Sequence, residues 1–133
     1  MRKLVLHLVD DNDIDIAVNT KLLHLAQIGD ETVVYNSGVA FLDRLKAEKE
    51  YWLQHDNVVL LDIMMPGLTG FDTMIRFGNM DEAVHKAFNV FMLSSSIDRK
   101  DIKKAEGTPF VHRILEKPLD VYLLKKLIQE LVW

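Results

Sequence analysis

With 133 residues, 49% of them apolar and 27% charged, and with no cysteine, the chain has the size and composition of one globular domain and can form neither disulfides nor thiolate metal sites. A net charge of −4 leaves no electrostatic footprint for nucleic acid. No apolar stretch approaches the roughly 20 residues a membrane span needs, and the opening MRKLVLHLVDD runs into aspartates without a small-residue cleavage site, so the expected setting is the cytoplasm.

The first apolar run, LVLHLV (4–9), is short and continuous, as a strand buried on both faces of a parallel sheet is. Ile14, Val18, Leu22, Leu25 and Ala26 then follow a helical period and read as a core face, with Asp13 as cap and Gly29 as stop. TVVY (32–35) is a second strand. Ser37 introduces GVAFLDRLKAEKEYWL, which reads as one long helix with Val39, Phe41, Leu42 and Leu45 on its inner face. NVVLLD (57–62) is the third strand. A helix opens at Thr69 or Gly70, is interrupted at Gly78-Asn79, and resumes at DEAVHKAF. NVFMLS (89–94), a helix from Asp98 to Gly107, FVHRIL (110–115), and LDVYLLKKLIQELVW complete the chain. The last helix offers Val121, Leu124, Leu127, Ile128 and Leu131 to the core. Strand and helix alternate five times, which predicts an α/β fold with a five-stranded parallel sheet covered by helices on both faces, (βα)5, in one domain spanning 1–133.

Ligands of such a sheet bind outside the carboxyl ends of its strands. Those ends carry Asp10-Asp11, Asp62, Ser94-Ser95-Ser96 and Lys117-Pro118. Clustered carboxylates raise one another's pKa unless a cation joins them, and oxygen donors suit a hard divalent ion such as Mg²⁺. Lys117 adds a fixed positive charge and Ser94 a hydroxyl donor. This set fits transfer of a phosphoryl group to a carboxylate, a chemistry of neutralisation and positioning. Asp13 and Asp15 are expected to stand apart from it, capping and solvating the first helical turn. An EF-hand reading of Asp11, Asp13 and Asp15 fails because Ile16 and Leu22 occupy its glycine and glutamate positions. His7, His24, His55, His85 and His112 lack metal-ligand spacing and read as packing or surface residues.

VDDN, LLDIMMPGLTG, LSS and EKP occur in an order and on a strand–helix alternation that resemble a response regulator receiver domain, over essentially the whole chain. Asp62 with Pro66 and Gly70 is the most specific piece. The resemblance implies a flavodoxin-like doubly wound fold with no output domain. It makes Asp62 the acceptor of phosphate from a phosphohistidine on a sensor histidine kinase or histidine phosphotransfer protein. It further implies Mg²⁺ held by Asp11, Asp62 and the Met64 carbonyl, with Asp10 acting through water, and catalytic roles for Lys117 on the phosphoryl oxygens and Ser94 as the group that moves toward the phosphate. The Lys117–Pro118 bond is commonly cis in the family. The protein would catalyse only its own phosphorylation and dephosphorylation, as a single-domain switch or a phosphorelay member with a downstream protein target.

Ile114 stands where the family usually has an aromatic switch residue, which shifts the expected signal path to the backbone after Ser94. Met64 and Ser96 flank the expected path of the attacking water without offering a general base, implying slow to moderate hydrolysis. In the family, the face of the fourth helix, fifth strand and fifth helix mediates homodimers or target docking; here it carries Arg99, Lys100, Lys103, Lys104, Lys125 and Lys126. Two other readings stand beside this one. A degenerate receiver would be a constitutive binding module. A haloacid-dehalogenase-type phosphatase would use Asp11 and Asp13 on strand one, but it normally needs a cap or a longer chain.

Overall fold

The computed structural model describes residues 2–133. Five strands, β1 (Leu4–Val9), β2 (Glu31–Tyr35), β3 (Asp56–Asp62), β4 (Phe88–Ser94) and β5 (Val111–Glu116), form one all-parallel sheet in the order β2-β1-β3-β4-β5. Connecting and following them are α1 (Asp13–Leu25), α2 (Gly38–Ala47), α3 (Lys49–Leu53), α4 (Gly70–Phe77), α5 (Glu82–Ala87), α6 (Arg99–Glu106) and α7 (Val121–Gln129). The doubly wound fold expected from the sequence is the fold observed.

Alternation along each strand splits the core in two. Leu6, Leu8, Val58, Leu60, Phe91, Leu93 and Leu115 pack under α1 and α7, through Leu23 and Leu124. Val5, Val9, Val59, Leu61, Val90 and Met92 pack on the other face, under Phe41, Leu45, Trp52, Phe71, Met74 and Phe77. β1, β3 and β4 are buried almost throughout, which is why they read as continuous apolar runs. β5 is an edge strand with His112 and Arg113 exposed.

Three local expectations need correction. The long second helix is two, broken at Glu48, whose ψ of 28° departs from the helical value. The cap of α1 is Asn12, which accepts from the Asp15 N–H at 3.0 Å, so Asp13 is the first helical residue. The core face of α1 is also rotated. Ile14 and Leu25 are 74% and 68% exposed and Val18 is exposed too, whereas Asn19 and Leu23 are buried and Ile16, Leu22 and Ala26 pack beside them. Apolar residues occupy most of this helix's circumference, so spacing alone could not say which stripe meets the sheet.

Candidate functional site

The strand order reverses between β1 and β3, and the carboxyl ends of these two strands hold Asp10 and Asp62. Such a switch point opens a crevice in a doubly wound sheet. Asp10 is fully buried just past β1, where its backbone N–H donates to the Tyr35 carbonyl. Its Oδ1 accepts from the Asn12 N–H at 3.0 Å and its Oδ2 from the Lys117 ammonium at 2.8 Å. Asp62 closes β3, with Oδ1 3.2 Å from Lys117 Nζ. Asp11 is exposed at the mouth, and one oxygen from each of Asp10, Asp11 and Asp62 lies within 4.8 Å of the others.

The loop carrying Asp62 is held from below. Thr69 and Asp72 form a capping box at the start of α4, with bonds of 3.1 and 3.2 Å. The Gly70 N–H donates to Ile63, and a Cβ on Gly70 would meet the Asp62 carbonyl at 2.5 Å and the Ile63 Cα at 2.9 Å. Only glycine admits that approach of helix to loop.

Burial pushes the Asp62 carboxyl up to about 6, the Asp10 charge adds to this, and Lys117 with the Met64 backbone N–H pulls the other way. Lys117 is held protonated: burial opposes its charge, but hydrogen bonds to Asp10 and Asp15 and the charge of Asp62 raise its pKa above the ordinary lysine value. A donor set of clustered carboxylate oxygens, part buried and part open to solvent, fits a small hard divalent cation.

The structure therefore brings Asp10, Asp11, Asp62 and Lys117 together, and the Lys117–Pro118 bond is cis. Met64 follows in the same loop with its side chain exposed. Ser94 is buried at the end of β4 but turned into its own loop, donating to the Ser96 carbonyl at 2.9 Å and accepting from the Ser96 N–H at 3.2 Å. The Lys117 N–H donates to the Ser94 carbonyl at 2.8 Å, joining the serine loop to the lysine. Asp15 corrects the sequence reading. It does not merely solvate the helix end but lies 3.0 Å from Lys117 Nζ.

Residues 6–129 match the response regulator receiver domain family. The chain belongs to that family. A response regulator receiver protein from Dyadobacter fermentans is similar in structure, at 32% identity, with a TM-score of 0.88 and 95% of each chain covered. A two-component response regulator from Cytophaga hutchinsonii has 27% identity and a TM-score of 0.87, covering 98% of this chain and 97% of its own. The 3',5'-cyclic-nucleotide phosphodiesterase regA of Dictyostelium discoideum is 32% identical over 130 residues, 95% of this chain. This chain spans 15% of that relative's length. Among the described residues no helix of the receiver is long and apolar enough to cross a membrane.

Proposed function

We propose that this receiver is a phosphorylation-controlled switch of a two-component or phosphorelay system, with Asp62 as the residue modified. An Asp62 oxygen attacks the phosphorus of a phosphohistidine on a histidine kinase or phosphotransfer protein. The P–N bond breaks, its electron pair stays on the imidazole, and 4-aspartylphosphate forms. The observation that carries this reading is Asp62 placed 3.2 Å from the buried cation of Lys117 and within 4.8 Å of the Asp10 and Asp11 oxygens. Asp11, Asp62 and the Met64 carbonyl would hold Mg²⁺, with Asp10 reaching it through water. When bound, Mg²⁺ supplies neutralisation of the carboxylate and phosphoryl charge that otherwise opposes transfer.

Lys117 takes the phosphoryl oxygens, and Ser94 exchanges its Ser96 contact for the phosphate. Because Lys117 N–H is bonded to the Ser94 carbonyl, the two respond together. Ile114, half-buried against the core, leaves a groove with Ile97, Ile102 and Ala105 on the face of α6 and β5. That face, continued by α7, is the docking surface for a downstream protein or a second copy. The receiver acts in the cytoplasm and turns over no substrate beyond its own phosphate. With Met64 and Ser96 beside the acyl phosphate, hydrolysis is slow to moderate.

Incubation with acetyl phosphate and Mg²⁺, read by intact mass, should give one phosphate adduct that Asp62→Ala lacks. Sustained hydrolysis of a generic phosphate ester would instead favour a phosphatase, and no adduct in folded protein would favour a constitutive binding module. Asp11→Asn is expected to raise stability in metal-free buffer slightly, by relieving repulsion at the mouth, and to lose most of the Mg²⁺-dependent rise in urea midpoint seen with wild type. An undiminished Mg²⁺ effect would remove Asp11 from the metal site.

A further inference from the structure

Lys117 has three N–H donors, and three carboxylates surround it: Asp10 at 2.8 Å, Asp15 at 3.0 Å and Asp62 at 3.2 Å. The three partners differ in environment. Asp10 and Asp62 are buried, whereas the Asp15 side chain is 39% exposed. Asp15 is placed by the first turn of α1. The Asn12 N–H bonds to Asp10, the Asn12 side chain accepts from the Asp15 N–H, and the turn aims the Asp15 carboxylate across the site to Lys117. On its outer side the pair borders a cleft formed with Val18, Asn19, Ser95 and Pro118.

We propose that Asp15 is a positioning residue that holds Lys117 in the unphosphorylated protein and is the contact given up when Asp62 is phosphorylated. The inference rests on the phosphoacceptor reading of Asp62. A phosphoryl group on Asp62 brings three new acceptor oxygens to an ammonium that already donates to Asp10 and Asp15 and faces Asp62 at 3.2 Å as an ion pair. As the ammonium turns toward those oxygens, one of its two hydrogen bonds is strained. Releasing Asp10 would strand a fully buried carboxylate, which is costly; releasing Asp15 exposes it to water, which rehydrates it. Asp15 therefore competes with the incoming phosphoryl group for Lys117 and slows its capture.

The test compares wild type, Asp15→Asn, Asp15→Ala and Asp15→Glu with two small donors of different charge, acetyl phosphate and phosphoramidate, in Mg²⁺ at low and high salt. Asp15→Asn and Asp15→Ala should be phosphorylated about fivefold faster, the factor for loss of one half-exposed ionic contact of about 1 kcal/mol. The gain should be similar for both donors and survive high salt, and Asp15→Glu should return toward wild type. Unchanged or slower labelling overturns the proposal. A gain confined to acetyl phosphate and lost in high salt also overturns it, since that is repulsion of anions at the mouth. A second readout does not need phosphorylation: hydrogen exchange of the Lys117 ammonium by ¹⁵N NMR. It should speed up about fivefold in Asp15→Asn, the factor for about 1 kcal/mol of lost protection, and equal exchange in the two proteins overturns the proposal. If no protein labels at Asp62, the phosphoacceptor reading fails on its own, while the exchange experiment still decides whether Asp15 holds Lys117.

Discussion

Lys117→Met is expected to destabilise the metal-free protein by about 3–5 kcal/mol, as removal of one partner from a buried charge cluster does. Methionine fills much of the space of the lysine stem, so the loss is not a cavity effect. What disappears is the only cation that, among the described residues, pairs with Asp10 and Asp62, both buried at the switch point. Asp10 keeps its Asn12 hydrogen bond but loses the contact at 2.8 Å. The Asp62 carboxyl, already up at about 6, loses the charge that pulls it down and moves higher. A carboxyl whose folded pKa lies above its unfolded value is least unfavourable when protonated in both states, and it costs stability as pH rises through the folded value. The deficit of Lys117→Met should accordingly be smaller near pH 5.5 than at pH 8. Saturating Mg²⁺ should narrow it, because a divalent cation at the carboxylates replaces part of the missing charge. Urea unfolding of both proteins at the two pH values, with and without Mg²⁺, checks all three statements. A deficit under about 1 kcal/mol in metal-free buffer at pH 8 would show that Lys117 contributes no more than a surface ion pair does.

The fold was legible because parallel strands covered on both faces leave little room for polar residues, so β1, β3 and β4 appear as apolar blocks with a polar residue where each ends. Asp10, Asp62, Ser94 and Lys117 could be located for the same reason: a strand end is visible in sequence, and the strand ends share one rim. Asp15 could not be assigned that way. Its distance from Lys117 depends on the tilt and roll of α1, which are set by Leu23 and Ile16 docking on the sheet rather than by any local pattern. The rotated face of α1 has the same origin, since Ile14, Val18 and Leu25 are as apolar as the residues that pack. The break at Glu48 is tertiary as well: Trp52 is drawn into the core beside Phe41 and Leu45, and its indole N–H donates to the Arg44 carbonyl at 3.3 Å. Ser94 was readable in place but not in conformation, because its partner is a backbone carbonyl two residues on.

Acidification from pH 7 to pH 4.5 is expected to cost wild type about 2.5 kcal/mol more than it costs His7→Gln, on the conversion of about 1.4 kcal/mol for each pKa unit. His7 lies in the middle of β1 with no exposure, ringed by Tyr35, Phe41, Trp52 and Phe88. Its partners dictate a neutral ring. The Asn57 side-chain NH2 shares its two hydrogens among the carbonyls of Trp52, His55 and Ala87 at 2.8, 3.0 and 3.1 Å, which leaves Asn57 Oδ1 as an acceptor facing His7 Nε2 at 2.9 Å. Nε2 therefore carries the proton, and Nδ1 accepts from the Tyr35 hydroxyl at 2.8 Å. Burial pushes the ring down from 6.5 to about 4, the hydrogen bond to Asn57 opposing this in part. Between those values the unfolded chain binds a proton that the native protein refuses, so stability is full above about pH 6.5 and falls as pH drops toward 4. Both proteins keep the carboxylates around Lys117, whose titration cancels in the difference. His7→Gln starts from a lower stability, having lost its aromatic contacts, but its dependence on pH should be flatter by up to one proton. Urea midpoints at half-unit steps measure this directly. Parallel curves across pH 6.5 to 4.5 would mean that the buried ring either admits the proton or is reached by water, and the hydrogen-bonded network between β1, β2 and β3 would lose its role in excluding charge from this face of the sheet.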